Sequence, residues 1–273
     1  MNKILVPTDF SPVADNAINY AAEIASRSNS AIVLLHTYMV PLVSTDVPVY
    51  VDYTVLEDIK KLAADKLIAI KERVHKVFPE ISIHYIMEEG DVAFQVENQL
   101  NQNEYDLVVM GTTGANAISG FLVGSNTYDV IKRSHVPVLA VPKNAIYNEI
   151  HKIAFGTNCK NEDLDTIRQV IDFATLFDAV VSLIHIESKA EDEDDLIEWF
   201  ESVAKTKLNY RKLGFRMFRG KEVFDELNAY LEQHRYSVLA LHKRSAGFLE
   251  SIFKPSLTKQ FAFHSDIPLL VYK

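Results

Sequence analysis

A single cysteine, Cys159, stands among 273 residues. It excludes an internal disulfide and leaves no cysteine cluster of the structural-zinc kind. The histidines show no HxxxH or HxH spacing, so the pattern gives no support to a transition-metal site. Basic charge is also short: 28 Lys and Arg face 37 Asp and Glu, for a net charge of −9. Binding a phosphate backbone draws on a basic surface, so nucleic acid is not expected as the main partner. No apolar run approaches the ~18 residues of a membrane span. Met1-Asn2-Lys3-Ile4-Leu5-Val6 runs straight into a strand, so a signal peptide is not expected. A reducing cytoplasm, with no membrane partner, is the expectation. The chain also lacks a G-x-S-x-G elbow, a convincing Ser-His-Asp set and a Walker lysine, so catalytic and metal-ligating residues are expected to be none.

Glycine is scarce as well, with nine in the chain, and three of them fall at Gly111, Gly114 and Gly124. They follow the apolar run Leu107-Val108-Val109-Met110 and precede Ser125-Asn126-Thr127. A strand feeding a glycine-bearing loop and then a helix is a physical arrangement for holding phosphate. Glycine admits close approach of the backbone to an anion. The free N–H groups and the dipole at a helix start favour negative charge there. The Ser125 and Thr127 hydroxyls are expected to add donors.

Apolar strands alternate with segments of helical period, which predicts a parallel α/β architecture. Strands are expected at 4–6, 31–36, 81–86, 107–110 and 136–141, with helices from about Ala14, at 56–78, at 92–101 and at 126–134. Continuous apolar runs such as Ala31-Ile32-Val33-Leu34-Leu35 suit strands covered on both faces. The plan then restarts. Lys152-Ile153-Ala154-Phe155-Gly156-Thr157-Asn158 mirrors Lys3-Ile4-Leu5-Val6-Pro7-Thr8-Asp9, and Leu183-Ile184-His185 mirrors Leu34-Leu35-His36, both at an offset of 149. Ile267-Pro268-Leu269 mirrors Val136-Pro137-Val138 at an offset of 131, so the second copy is 18 residues shorter in the middle. Most of that loss is expected in the long segment after strand two. Two domains follow, 1–143 and 150–273, joined by a short polar linker.

With Pro7-Thr8-Asp9-Phe10-Ser11, Leu34-Leu35-His36, Gly111-x2-Gly114-x9-Gly124-Ser125 and Val136-Pro137-Val138 in one frame, the chain resembles a tandem universal stress protein. The resemblance implies two tandem five-stranded parallel-sheet domains, each in strand order 3-2-1-4-5, of the adenine nucleotide alpha hydrolase-like kind. It further implies ATP, or ADP or AMP, with Mg²⁺, across the C-terminal ends of strands one and four, where strand order reverses. Carried over residue by residue, Asp9 is the carboxylate near the adenosine, and Pro7 and Thr8 shape the same wall. Thr37 lines the adenine slot through its backbone. Met110 and Gly111 lie beneath the ribose and phosphates. Gly114, Gly124, Ser125 and Asn126 contact phosphate. The implied function is a stress-response regulator acting by nucleotide occupancy. Rival readings are a nucleotide-free interaction or scaffold protein of the same fold and a slow ATP hydrolase. Pairing of the two domains through their final strands, 136–141 and 267–272, is expected, and a homodimer beyond that.

The second copy departs at the cradle. Gly111 becomes His242, Gly114 becomes Ser245 and Gly124 becomes Pro255, while Ser125 persists as Ser256; Asp9 becomes Asn158. Proline removes a donor and side chains replace bare backbone, so phosphate binding is expected in the first copy alone. Blander readings stand beside these. Asp9 can order the turn or cap the first helix. His36 and His185 suit satisfied structural histidines. The acidic run at 191–195 suits a solvated helix start. Residues 40–53 form either a lid over the nucleotide or a surface for a partner subunit, and loops 40–53 and 115–123 are expected to respond to occupancy.

Overall fold

The computed structural model describes residues 1–39, 53–112, 124–157, 159–187, 194–219, 223–243 and 267–273. The first half runs β1 (Lys3–Pro7), α1 (Pro12–Ser28), β2 (Ala31–Tyr38), α2 (Tyr53–Val77), β3 (Ile83–Glu89), α3 (Val92–Gln102), β4 (Leu107–Gly111), α4 (Ser125–Arg133) and β5 (Val138–Val141). The second runs β6 (Lys152–Thr157), α5 (Asp163–Thr175), β7 (Val180–Glu187), α6 (Asp194–Leu208), β8 (Leu213–Arg219), α7 (Val223–Gln233), β9 (Val238–His242) and β10 (Leu269–Tyr272).

These ten strands form one sheet in the order β3-β2-β1-β4-β5-β10-β9-β6-β7-β8. Each half therefore has the order 3-2-1-4-5 counted within its own copy, as the resemblance implies, with the parallel pairing inside the half that the sequence pattern predicts. The halves meet at an antiparallel seam, where Leu269, Leu270 and Val271 face Ala140, Leu139 and Val138. Strand five is the last of each half, and the seam covers an edge that would otherwise present unpaired backbone groups. Both seam strands start just after a proline. Pro137 and Pro268 lack an N–H, yet their carbonyls accept from Val108 and Leu239, so each proline serves the ladder on its acceptor side only.

Alternation along each strand divides the core into two layers. Ile4 and Val6 of β1, Leu139 of β5, Phe155 of β6 and Leu270 of β10 join α1, α2, α5 and α6 on one face. Leu5, Val138, Ala154 and Leu269 join α3, α4 and α7 on the other. Each layer draws on both halves. The shortening of the second copy falls partly within a helix: α6 has 15 residues against 25 in α2. The polar linker is packed down. The Asn16 amide of α1 donates to the carbonyls of Pro142 (3.0 Å) and Ala145 (2.7 Å). The Tyr147 ring meets Tyr20 edge-on at 5.1 Å, and Arg27 pairs with Glu149.

Candidate functional site

Within the first half, β1 lies between β2 and β4, so the chain leaves it toward both sides of the sheet. The C-terminal ends of β1 and β4 flank the crevice that such a reversal opens. Pro7 and Thr8 end β1 buried, and Asp9 follows exposed. The Thr8 N–H donates to the Leu35 carbonyl (2.8 Å), which ties the turn to β2. Its hydroxyl accepts from the Phe10 N–H (3.1 Å), and the Asp9 carboxylate accepts from the Ser11 N–H (3.0 Å). Phe10 takes φ of 64°, a left-handed conformation uncommon for a bulky residue. The side-chain bonds on either side hold it there. Ser11, not Asp9, is the cap of α1: its hydroxyl accepts from the Ala14 N–H (3.2 Å), with Pro12 following as the first helical residue. Asp9 orders the turn.

His36 Nδ1 lies 2.9 Å from the Thr8 carbonyl, and its ring sits 4.4 Å from that of Phe10. A carbonyl only accepts, so Nδ1 carries the proton. His185 repeats the contact with the Thr157 carbonyl at the same 2.9 Å. Both histidines bind the backbone of strand one to strand two. Thr37, half-buried in β2, lies one residue further along, opposite Glu88 of β3.

At β4 the chain ends its strand with buried Met110 and Gly111. The glycine at 111 has a packing cause. A Cβ there would lie 2.7 Å from Val13 Cγ1 and 3.2 Å from the Val13 backbone, so α1 presses directly on the strand end. Past the loop, the Gly124 N–H donates to the Thr112 carbonyl (2.6 Å). The Thr127 hydroxyl donates to the Gly111 carbonyl (2.8 Å). These two bonds set the start of α4 against the end of β4. They also correct an expectation, because Thr127 is 2% exposed and its hydroxyl is spent on the fold. Ser125 and Asn126 are exposed at the helix start. Gly124 is the N-cap of α4, in an extended conformation and without a side-chain cap bond. The two other first-half helices whose caps are defined, α1 and α3, close their starts with Ser11 and Asp91. The first turn of α4 contains no acidic residue, and Gly124 offers its amides no side-chain cap.

Gly114 and the loops at 40–52 and 113–123 lie outside the described residues, as do Asn158, Ser245, Pro255 and Ser256. Sequence reasoning passed over Val13 and Thr112. It also passed over Lys66 of α2, whose ammonium lies 5.0 Å from the centre of the Phe10 ring, near the end of β1. Ser11-Pro12 is a readable helix-start signal; nothing in the sequence links Lys66 to that turn.

The second half reuses the turn but changes the residues at its strand ends. Cys159 takes φ of 57°, and its N–H donates to the Thr157 hydroxyl (3.0 Å), matching Phe10 and Thr8. His242 ends β9 where Gly111 ends β4, and it is 6% exposed. Its Nδ1 lies 3.9 Å from the Asp163 carboxylate, which accepts from the Thr157 hydroxyl (2.7 Å) and the Lys160 N–H (3.3 Å). Asp163 stands at the repeat position of Ala14. Where the first half packs Gly111 against Val13 of α1, the second half places His242 beside Asp163, both buried. The helix makes room by starting later in the repeat: α5 begins at Asp163, whereas α1 begins at Pro12.

Fold and site together define a doubly wound parallel α/β protein that is duplicated within one sheet. Residues 1–142 match the model of the universal stress protein family, and the chain belongs to that family. A universal stress protein from Methanocaldococcus jannaschii is 31% identical over 144 residues, covering 52% of this chain and 82% of that protein. A universal stress protein from Archaeoglobus fulgidus superposes with a TM-score of 0.72 at 18% identity, covering 100% of this chain and 96% of that one. A putative universal stress protein from Pseudomonas aeruginosa does so at 0.59 and 13% identity, covering 100% and 93%. Among the described residues, no helix is long and apolar enough to cross a membrane, and no group of three acidic, histidine or cysteine side chains is arranged to hold a metal ion.

Proposed function

We propose that the first half binds an adenine nucleotide, ATP or ADP, across the ends of β1 and β4, and that the protein acts as a nucleotide-dependent regulator. The observation carrying this reading is the start of α4. Gly124 leaves the first-turn amides without a side-chain cap, directly beside the end of β4, at the point where strand order reverses. In this reading Pro7, Thr8 and Thr37 border the base, Asp9 faces the ribose, and Met110 and Gly111 underlie the sugar and phosphates. Gly114, Gly124, Ser125 and Asn126 hold the phosphates, with Mg²⁺ as their counterion. Only one nucleotide is bound per chain in this reading, because the second half has buried His242, beside Asp163, where the first has Gly111.

Occupancy rather than turnover is the output. Transfer of a phosphoryl group draws on positioned cations. Lys132 and Arg133 sit in the last turn of α4, opposite its anion-facing end, and Arg133 is paired with Glu97 at 3.2 Å. A reducing cytoplasm, and dimerisation of two chains through a face outside the β5–β10 seam, complete the proposal. Calorimetric titration of the full chain with ATP, with and without Mg²⁺, tests it. Saturable binding tighter than about 1 mM at one site per chain is expected. No saturable binding would overturn the nucleotide reading in favour of the scaffold one, and two sites per chain would overturn the asymmetry.

A further inference from the structure

The N-terminus of α4 is the candidate phosphate end; its C-terminus meets the other half of the molecule. A helix leaves its last four carbonyls without intrahelical donors, and in the nine-residue α4 the Lys132 carbonyl is one of them. The ammonium of Lys243 donates to it. Lys243 is the first residue after β9, so this donor comes from the second half, 111 positions away in the chain. Its backbone is fixed independently, since its N–H donates to the Tyr272 carbonyl of β10 (2.7 Å).

This is an unfavourable place to keep a cation without cause. Lys243 is partly buried, and desolvation lowers its pKa, with the charges of Lys273 and Lys132 lowering it further. The compensating contact is the negative end of α4, where a cation is stabilising. At the corresponding position of the first half stands Thr112, which has no ammonium to offer. Through this bond the second half holds a helix of the first.

We infer that Lys243 is a positioning residue for the nucleotide site, a latch by which the second half sets α4, and with it the phosphate-facing amides, against β4. The inference rests on the nucleotide reading for its functional consequence and on geometry alone for its structural one. The second half keeps a role at the first half's site while its own strand end has His242 in place of glycine.

The experiment compares wild type, Lys243→Met, which keeps the apolar stem and removes the donor, and Lys243→Arg, which restores a cation. Lys205→Gln, at an exposed pair on α6, serves as the control. Two quantities are read on the full chain: hydrogen exchange of the α4 amides without nucleotide, and ATP affinity by calorimetry. Lys243→Met is expected to speed exchange in α4 about fivefold and to weaken ATP binding by a similar factor, while Lys243→Arg and the control stay near wild type. Unchanged α4 exchange in Lys243→Met overturns the latch whatever the nucleotide result. Faster exchange with unchanged affinity overturns the coupling. If wild type binds no ATP, the nucleotide reading falls and the coupling to that site falls with it, while the exchange data still decide whether Lys243 holds α4.

Discussion

Gly111 has a packing role that its spacing does not reveal. The spacing from Gly114 and Gly124 leads to the expectation of a loop that approaches an anion. The structure adds that α1 occupies the space a side chain would need, with Val13 Cγ1 2.7 Å from the missing Cβ. Gly111→Ala is therefore expected to destabilise the protein by about 1–3 kcal/mol through overpacking. Val13→Ala in the same chain removes the nearest contact and restores part of that loss, the remainder coming from the Val13 backbone at 3.2 Å. Urea denaturation of the two single variants and the double variant checks this. Additive losses would show that the close approach to Val13 is not the cause. The second half reaches another solution at the same place, because His242 requires both a later helix start and the Asp163 carboxylate beside it. The substitution of His for Gly is legible in the sequence. The accompanying change of Ala14 to Asp163 becomes meaningful only when the strand end and the helix start are seen to touch.

Among the elements, α4 carries the functional claim. Its period and its starting residues are evident in the chain, and the observed helix begins within one residue of the expected start. Which hydroxyl faces solvent and which serves the fold is not evident in the sequence. Ser125 and Thr127 look alike in the sequence, but they are two residues apart on a helix and so point in different directions, one outward and the other onto the Gly111 carbonyl. The open cap gives a separating test. Gly124→Asp supplies a side-chain cap and a negative charge at once. It is expected to change stability by no more than a few tenths of a kcal/mol while abolishing ATP binding, because the added carboxylate occupies the amides and repels phosphate. Thermal melting and nucleotide titration of the same preparation check both halves of the expectation. Unimpaired ATP binding would remove the helix start from the site.

For the whole molecule, one ten-stranded sheet runs through both halves, so they are expected to unfold as one unit. Leu139 and Leu270 face each other across the seam, both fully buried, in a core cluster that also contains Ile4 and Phe155. Leu270→Ala is expected to cost about 2–5 kcal/mol and to destabilise both halves together. The chain has one tryptophan, Trp199, on α6 of the second half. Its fluorescence and the far-UV circular dichroism of the whole chain should therefore lose structure at one denaturant concentration, in wild type and in Leu270→Ala alike. Two separated transitions would show that the halves fold independently despite the shared sheet.

Much of each half is legible along the chain: the alternation of strands and helices, the repeat, and the position of the glycine-bearing loop. These follow from local period, from turn residues and from a pattern that occurs twice, all of which are carried by neighbours in the chain. Other features come from folding alone: α1 presses on Gly111, Thr127 is spent on the fold, Asp163 and His242 are buried side by side in the second half, and Lys243 donates to the last turn of α4. Each of those depends on which surfaces meet in space between residues far apart in sequence, and packing at that range leaves no periodic trace along the chain.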